Sequence, residues 1–263
     1  MMNNPIGIFD SGVGGTSIWK EINALLPSEN TIYLSDSFNA PYGEKNKDEI
    51  IQLSIKNTEY LLDKNCKLIV VACNTATTNA IKVLREKYKV PFIGIEPAIK
   101  PAALKTKTNI IGILATKGTL NSELFEKTSN ALDQKIIRKE IVGKGLVELI
   151  ESGKLNSKEM NTLLLKYLKP LLHQNIDCLV LGCTHYPYLI PQIRKIVGNK
   201  IKIIDSGEAV AKQTKFILEK NKLIHFSKKN GTHHFFINKQ KQVLEKLINK
   251  KGIENIIIEE LKF

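Results

Sequence analysis

Two cysteines of this chain stand at the ends of apolar segments that resemble each other. Residues 68–75 read LIVVACNT, and residues 179–185 read LVLGCTH. Each segment ends with a thiol, Cys73 or Cys183, followed directly by side chains that form hydrogen bonds. Polar groups at the carboxyl end of a buried parallel strand lie where open α/β sheets bind ligands. The two segments therefore predict a site to which two strands contribute one thiol each.

Two thiols on opposite sides of one pocket suit a specific kind of chemistry. Inverting a stereocentre by proton transfer requires a base on one face of the carbon and an acid on the other. A free thiol has a pKa of about 8.5, so each cysteine needs a partner to ionise near neutral pH. Asp10, at the end of the first apolar strand, and His185, just after Cys183, are the candidate partners.

Three other interpretations of the cysteines stay open at this point. Free cysteine is usually a small core residue, which is how we interpret Cys66 and Cys178, just before the two strands. A zinc site would use Cys183 and His185, but no other cluster of cysteine and histidine completes a set of four ligands. A single nucleophilic cysteine with a histidine base would leave the second cysteine unexplained.

Strand-like and helix-like segments alternate along the chain, which predicts βαβ units and mainly parallel sheets. The order of the first half recurs in the second half, so we expect an α/β fold with two similar lobes. We assign residues 1–97 plus 207–263 to the first lobe and 98–206 to the second. The helix after Cys73 is predicted to begin near Thr77.

Residues 10–15 read DSGVGG between a strand and a helix. Glycines permit a tight turn, and the free amides at a helix start favour an anion, either phosphate or carboxylate. A dinucleotide-binding turn would use an acid placed like Asp36, but its pattern requires glycine at position 17, where Ser17 stands. A nucleotide-dependent enzyme stays open as the alternative interpretation of this turn.

The formal net charge of +13 raises the question of nucleic-acid binding. Only three of the 39 basic residues are arginines, the type best suited to phosphate and base recognition. The densest lysine runs, at 228–229 and 239–250, are predicted to lie on a solvated face of a late hairpin and helix. We attribute the charge to biased composition and do not expect a nucleic-acid partner.

The sequence has no secretory signal at its start, and no apolar run approaches the about 20 residues that a membrane span needs. The four cysteines form no Cys-x-x-Cys pair and no disulfide-rich spacing. We therefore expect a soluble cytoplasmic protein with free thiols and no membrane partner.

Six motifs resemble those of the cofactor-independent glutamate racemases of bacterial cell-wall synthesis. They are IFDSGVGG at 8–15, APYG at 40–43, ACNTAT at 72–77, IEP at 95–97, AT with GT at 115–119, and GCTHYP at 182–187. The wider aspartate/glutamate racemase superfamily shares the two cysteines, whereas DSGVGG, APYG and GCTHYP together point to the glutamate branch. A racemase of another acidic amino acid, such as aspartate, is the alternative.

The resemblance implies two lobes related by a pseudo-twofold, with the active site in the cleft between them. Cys73 would act on D-glutamate with help from Asp10, and Cys183 on L-glutamate. His185 and Glu151 would assist Cys183. The expected substrate contacts are Asp10, Ser11, Tyr42, Gly43, Asn74, Thr75, Thr116, Thr119, Thr184 and His185.

The resemblance also changes the interpretation of the glycine turn, whose anion would be a substrate carboxylate. Asp36 would then support a neighbouring group or cap its strand. The implied protein is an isomerase that uses no cofactor and no metal, forms a homodimer and supplies D-glutamate for peptidoglycan.

Overall fold

The computed structural model describes residues 2–248 and 255–263. The strands are β1 (Ile6–Asp10), β2 (Thr31–Ser35), β3 (Leu68–Val71), β4 (Phe92–Gly94), β5 (Ile110–Ala115), β6 (Ile137–Val142), β7 (Cys178–Gly182), β8 (Lys202–Ile204), β9 (His233–Ile237) and β10 (Ile256–Glu260). The helices are α1 (Thr16–Leu25), α2 (Lys47–Asp63), α3 (Asn74–Lys87), α4 (Ile99–Lys105), α5 (Lys117–Leu120), α6 (Glu123–Asn130), α7 (Leu146–Glu151), α8 (Lys158–Leu172), α9 (Ile190–Val197), α10 (Gly207–Lys220) and α11 (Lys241–Ile248). Short 3-10 helices span Tyr42–Glu44 and Tyr186–Leu189.

The strands form two parallel sheets. The first sheet has the order β10-β9-β2-β1-β3-β4, and the second has the order β6-β5-β7-β8. Every paired neighbour runs parallel, as the crossover helices between successive strands require. The predicted α/β fold with mainly parallel sheets flanked by helices is therefore confirmed.

Strand β3 shows why its sequence is apolar throughout. Successive side chains of a strand point to opposite faces of the sheet. Leu68 and Val70 pack in one hydrophobic cluster with Trp19 of α1, whereas Ile69 and Val71 pack in another with residues of α2 and α3. Both faces of the strand are buried, so no position of β3 tolerates a polar side chain.

The two sheets share one continuous core. The cluster that contains Val70 of the first sheet also contains Leu114 and Leu181 of the second sheet. Ile150 of α7 belongs to the same cluster and is fully buried. The carboxyl ends of β1, β3 and β7 are thereby kept close together, and the loops after them meet between the sheets.

Two local predictions are wrong. Helix α3 begins at Asn74 rather than near Thr77, because the Cys73 side chain accepts the Ala76 amide and caps the helix. The predicted late hairpin is absent from the described residues: β9 and β10 pair in parallel, so a crossover that includes α11 joins them. Residues 249 and 250 of the lysine run lie outside the described residues.

Candidate active site

The two cysteines line the same cavity although they follow strands of different sheets. Cys73 comes after β3 of the first sheet, and Cys183 comes after β7 of the second. Their exposed fractions are 4% and 6%. The cavity has an empty volume of about 250 Å³ and is lined by Ser11, Pro41, Tyr42, Gly43, Cys73, Asn74, Thr75, Thr116, Val147, Cys183, Thr184 and His185.

Cys73 lies in surroundings that favour the neutral thiol. Its Sγ accepts the Ala76 amide at 3.4 Å and lies 3.5 Å from Ser11 Oγ. Burial raises the pKa of Cys73, and the negative charge of Asp10 raises it further, against the smaller opposing effect of these two contacts. Proton removal from this thiol therefore requires a neighbouring base.

The Asp10 carboxyl lies at the end of β1, beside the glycine turn. Its Oδ2 accepts the amides of Gly12 at 3.2 Å and Gly15 at 2.9 Å, and its Oδ1 accepts the Thr184 hydroxyl at 3.3 Å. Burial raises the pKa of Asp10 to about 6, although the charge of His185 opposes the shift. A carboxyl with this pKa can exchange a proton near neutral pH.

Cys183 is the first member of a buried chain of three side chains. Its Sγ lies 3.7 Å from His185 Nδ1, and His185 Nε2 lies 2.6 Å from Glu151 Oε1. Burial lowers the pKa of His185, but the hydrogen bonds with Cys183 and Glu151 outweigh it and raise the pKa well above its ordinary value. The arrangement favours an imidazolium beside Cys183.

Three amides of the glycine turn bind carboxylates of the protein itself, and a fourth, that of Gly14, lies 3.3 Å from His185 Nε2. Gly12 and Gly15 donate to Asp10, and Val13 donates to Glu151 Oε1 at 2.7 Å. The expectation that this turn binds a substrate carboxylate is therefore wrong for these three amides, because two protein carboxylates already occupy them.

Glycine is required at two positions of this turn. A β carbon at Gly12 would overlap the carboxylate of Glu151, and a β carbon at Gly14 would overlap the ring of His185. The turn belongs to the first sheet, whereas Glu151 and His185 come from α7 and from the loop after β7. Because glycine has no side chain at these two positions, the Glu151 carboxylate and the His185 ring can reach the end of β1.

Asp36 does not line the cavity but bonds to Tyr42, which does. The Tyr42 hydroxyl donates to Asp36 Oδ2 at 2.5 Å and accepts Asn57 Nδ2 at 3.1 Å. Asp36 also accepts the side-chain amides of Asn39 and Asn238. Burial and then the charge of Asp36 raise the pKa of Tyr42 well above its usual range, so Tyr42 stays a neutral hydrogen-bond donor.

Three threonines close one wall of the cavity. The Thr75 hydroxyl lies 2.8 Å from that of Thr116 and 3.3 Å from that of Thr119. Thr119 is fully buried and reaches the cavity only through the other two. Beside them, the side-chain nitrogen and oxygen of Asn74 are buried without a hydrogen-bond partner in the described part of the chain.

The predicted residues thus fall into two layers. Ser11, Tyr42, Gly43, Asn74, Thr75, Thr116, Thr184 and His185 line the cavity together with the two cysteines. Asp10, Glu151 and Thr119 lie behind this lining and bond to it.

A wider cleft lies on the outer side of the Gly43 and Gly118 backbones. A β carbon at Gly118 would crowd Gly43 and Thr75, so the two glycine backbones pack closely. The cleft has an empty volume of about 1430 Å³, and Lys45, Lys47, Lys82, Lys117 and Lys127 lie along it. A basic cleft therefore adjoins the thiol cavity.

Sequence reasoning missed Ser37, which lies just beyond β2. Its hydroxyl donates to Glu151 Oε2 at 2.7 Å across 114 positions of sequence. The only signal was its location at a strand end next to Asp36. The contact between the hydroxyls of Thr16 and Tyr188 was also missed. It joins α1 to the 3-10 helix Tyr186–Leu189.

Residues 2–248 and 255–263 contain neither a metal-binding cluster nor a helix that could span a membrane. No group of three or more histidine, cysteine, aspartate or glutamate side chains is arranged there to bind a metal ion. No helix in these ranges is long and apolar enough to cross a membrane.

Comparison with known proteins agrees with the geometry. A sequence model of the Asp/Glu/Hydantoin racemase family matches residues 6–214. A glutamate racemase of Ralstonia pickettii is 48% identical over 210 residues, which are 79% of this chain and 74% of the relative.

Solved structures of glutamate racemases superpose on the whole chain. The structure of an isoform from Bacillus anthracis has a TM-score of 0.88 and 31% identity, and covers 100% of this chain and 99% of its own. The structure from Francisella tularensis in complex with D-glutamate has a TM-score of 0.85 and 29% identity, and covers 100% and 98%. These matches show the two-lobed fold, and the chain belongs to the glutamate racemases of the Asp/Glu/Hydantoin racemase family.

Proposed function

We propose that this protein interconverts L-glutamate and D-glutamate by proton transfer at Cα between Cys73 and Cys183. The observation that carries the proposal is that two thiols from different sheets line one cavity. A substrate between them would present opposite faces of its Cα to the two sulfur atoms. One thiolate would remove the proton, and the opposite thiol would deliver its own.

On the Cys73 side, Asp10 would act as the base that prepares the thiolate. The pKa of Asp10, raised to about 6 by burial, makes its carboxylate a stronger base than an exposed aspartate. The proton of Cys73 would pass to Asp10, and the thiolate would then remove the Cα proton of D-glutamate.

On the Cys183 side, His185 would exchange the proton with the thiol. Its Nδ1 faces the sulfur at 3.7 Å, and Glu151 binds the opposite ring nitrogen. In the direction from D- to L-glutamate, Cys183 delivers its proton to the other face of Cα. In the reverse direction its thiolate removes that proton from L-glutamate.

The Cα proton of an amino acid is a very weak acid, so the developing negative charge must be stabilised by donors already in place. The Asn74 amide is buried with free hydrogen-bonding capacity, which a bound substrate would satisfy. The hydroxyls of Ser11, Thr75 and Thr184 line the same space. We propose that these groups, with Tyr42, Gly43 and Thr116, bind the carboxylates and the amino group.

Thr119, Glu151 and Asp10 would act from behind the lining, by positioning Thr75, His185 and Thr184. The proposed reaction uses no cofactor, because each proton transfer has a protein acid or base. The small cavity and the low exposure of both thiols indicate that substrate binds after the lobes separate and reacts after they close. The basic cleft beyond Gly43 would attract the anionic substrate.

Glutamate is favoured over aspartate as the substrate because the relative that is 48% identical to this chain over 210 residues is a glutamate racemase. We further propose that the product D-glutamate serves peptidoglycan synthesis, that the protein is cytoplasmic, and that it forms a homodimer. The lobes would comprise residues 1–97 plus 207–263 and residues 98–206, since each sheet takes its strands from one of these sets.

The test is incubation of purified protein with each enantiomer of glutamate, without added cofactor, followed by circular dichroism of the amino acid. Because enantiomers have equal free energy in water, both reactions should end at zero signal. The same assay with L- and D-aspartate tests the substrate. If aspartate reacted and glutamate did not, the substrate assignment would be wrong; if neither reacted, the racemase proposal would fail.

A further inference from the structure

Glu151 receives hydrogen bonds from both lobes. The Val13 amide and His185 Nε2 bind Oε1, at 2.7 Å and 2.6 Å, while the Ser37 hydroxyl binds Oε2 at 2.7 Å. His185 comes from the second lobe, whereas Val13 and Ser37 come from the first. Ser37 is thus the only side chain of the first lobe, among the described residues, that donates a hydrogen bond to this carboxylate.

The Ser37 hydroxyl has little freedom to bind elsewhere. The side chain is 5% exposed, and its oxygen also lies 3.1 Å from Ser35 Oγ at the end of β2. Ser35 is itself fully buried. A buried hydroxyl without a hydrogen-bond partner destabilises the folded protein. The Ser37 hydroxyl is therefore held where it meets both Ser35 and Glu151.

We infer that Ser37 is a positioning residue for racemisation, which directs Glu151 so that His185 keeps Nδ1 toward the Cys183 sulfur. Without the Ser37 hydroxyl, Oε2 of Glu151 would be a buried acceptor with no side-chain donor in the described structure. The carboxylate could then rotate away from Nε2, and the imidazole would lose its fixed orientation. This inference rests on the proposed function, because it assigns a partner to one of its two thiols.

Loss of the Ser37 hydroxyl should impair proton transfer at only one face of the substrate. Cys183 depends on His185 and Glu151, whereas Cys73 is adjacent to Asp10 and Ser11. Racemisation uses both thiols in every turnover, so its rate alone cannot separate the two. Elimination from β-chloroalanine can, because it needs only the base that removes the Cα proton.

In that elimination one thiolate takes the Cα proton and the C–Cl electron pair leaves with chloride. The resulting aminoacrylate is hydrolysed to pyruvate and ammonium, so no oxidant or reductant is needed. The L-isomer would report the Cys183 side and the D-isomer the Cys73 side. Pyruvate formation therefore measures each half of the site separately.

The experiment compares wild type with Ser37→Ala, and with Ser37→Thr, which retains a hydroxyl. Ser54→Ala is the matched control, because Ser54 is fully buried and its hydroxyl donates to the carbonyl of Ile50 in its own helix. For Ser37→Ala we expect kcat for racemisation to fall by about tenfold to a hundredfold, with KM within about threefold, because a hydrogen bond to a charged group is lost. Elimination from the L-isomer should fall by a similar factor, and elimination from the D-isomer by less than about threefold.

The pH profile supplies a second readout. Losing a donor to the carboxylate makes the buried cluster easier to protonate, so the acidic limb of kcat should move to higher pH in Ser37→Ala. Ser37→Thr should restore part of the rate and the wild-type limb. Among the described residues, the charged and titratable groups that act on Glu151 and His185, and therefore share in this limb, are Asp10 of β1, Tyr33 of β2 and Cys183.

Two results would overturn the inference. One is a Ser37→Ala enzyme with the kcat and acidic limb of wild type. The other is an equal loss of elimination from both isomers with an unchanged limb, which would mean a general structural role. A wild-type protein without racemase activity would instead refute the proposed function, so the two failures are distinguishable.

Discussion

Substituting Asp10 by asparagine should make the protein more stable while it slows the reaction. Asp10 is fully buried, and burial is the main reason that its pKa is raised from 3.8 to about 6. Asparagine has nearly the same shape, can accept the Gly12 and Gly15 amides through its oxygen, and can donate to Thr184. It carries no charge, so the folded state no longer contains a buried carboxylate at this position.

The size of the stability gain and its pH dependence follow from the difference in proton affinity of Asp10 between the folded and the unfolded chain. Below about pH 3 the carboxyl is protonated in both states, and its charge has no effect on stability. Above about pH 6 it is ionised in both states, and the folded state is less stable by at most about 3 kcal/mol, since one pKa unit corresponds to about 1.4 kcal/mol. Between these limits the wild-type protein loses this stability as the pH rises, because the unfolded state releases the proton first.

Urea unfolding of wild type and Asp10→Asn across pH 4 to 8, under reducing conditions, measures this difference. The variant should gain about 2 to 3 kcal/mol above pH 6 but only about 0.5 kcal/mol near pH 4, and its kcat should fall by about 10²- to 10⁴-fold, the usual contribution of a general base. Asp63→Asn, at the exposed end of α2, is the control and should show neither effect. A stability difference that does not change with pH would refute the reasoning about Asp10.

Four further substitutions have defined expectations. Cys73→Ser and Cys183→Ser should each lower kcat for racemisation by about 10²- to 10⁴-fold, because an alcohol is a far weaker acid than a thiol. Circular dichroism of glutamate measures the loss. A rate within tenfold of wild type would exclude that thiol from the mechanism. Gly14→Ala should lower kcat by at least about tenfold, because its β carbon displaces His185; an unchanged kcat would show that the ring can move without consequence. Tyr42→Phe should lower the free energy of unfolding by about 1.5 to 3 kcal/mol, because Asp36 loses a buried donor, and an unchanged urea midpoint would contradict this role.

Sequence reasoning was most effective where local pattern determines structure. The apolar runs before Cys73 and Cys183 predict strands buried on both faces, and β3 and β7 are such strands. The start of α3 was predicted three residues late, because asparagine and threonine favour caps and turns. A cysteine sulfur that accepts the capping amide is not among the common helix-capping groups, so no sequence rule indicates it.

The contacts between the two lobes could not be predicted, because they depend on how the lobes pack. The glycine turn is a recognisable anion-binding sequence, but nothing local shows that the anions are Asp10 and Glu151. Ser37 meets Glu151 only after the two sheets have come together. Such contacts follow from tertiary packing rather than from spacing along the chain.

The claim that two thiols act on opposite faces is tested most directly by initial-rate racemisation of D-glutamate in D2O, with chiral chromatography to separate the enantiomers and NMR of each. If Cys73 removes the proton and Cys183 delivers a different one, L-glutamate should carry deuterium at Cα from the first turnovers while the remaining D-glutamate keeps its protium. If a single base served both faces, protium would return to L-glutamate or deuterium would enter the D-glutamate pool at a similar rate. Either of those patterns would contradict the two-thiol mechanism.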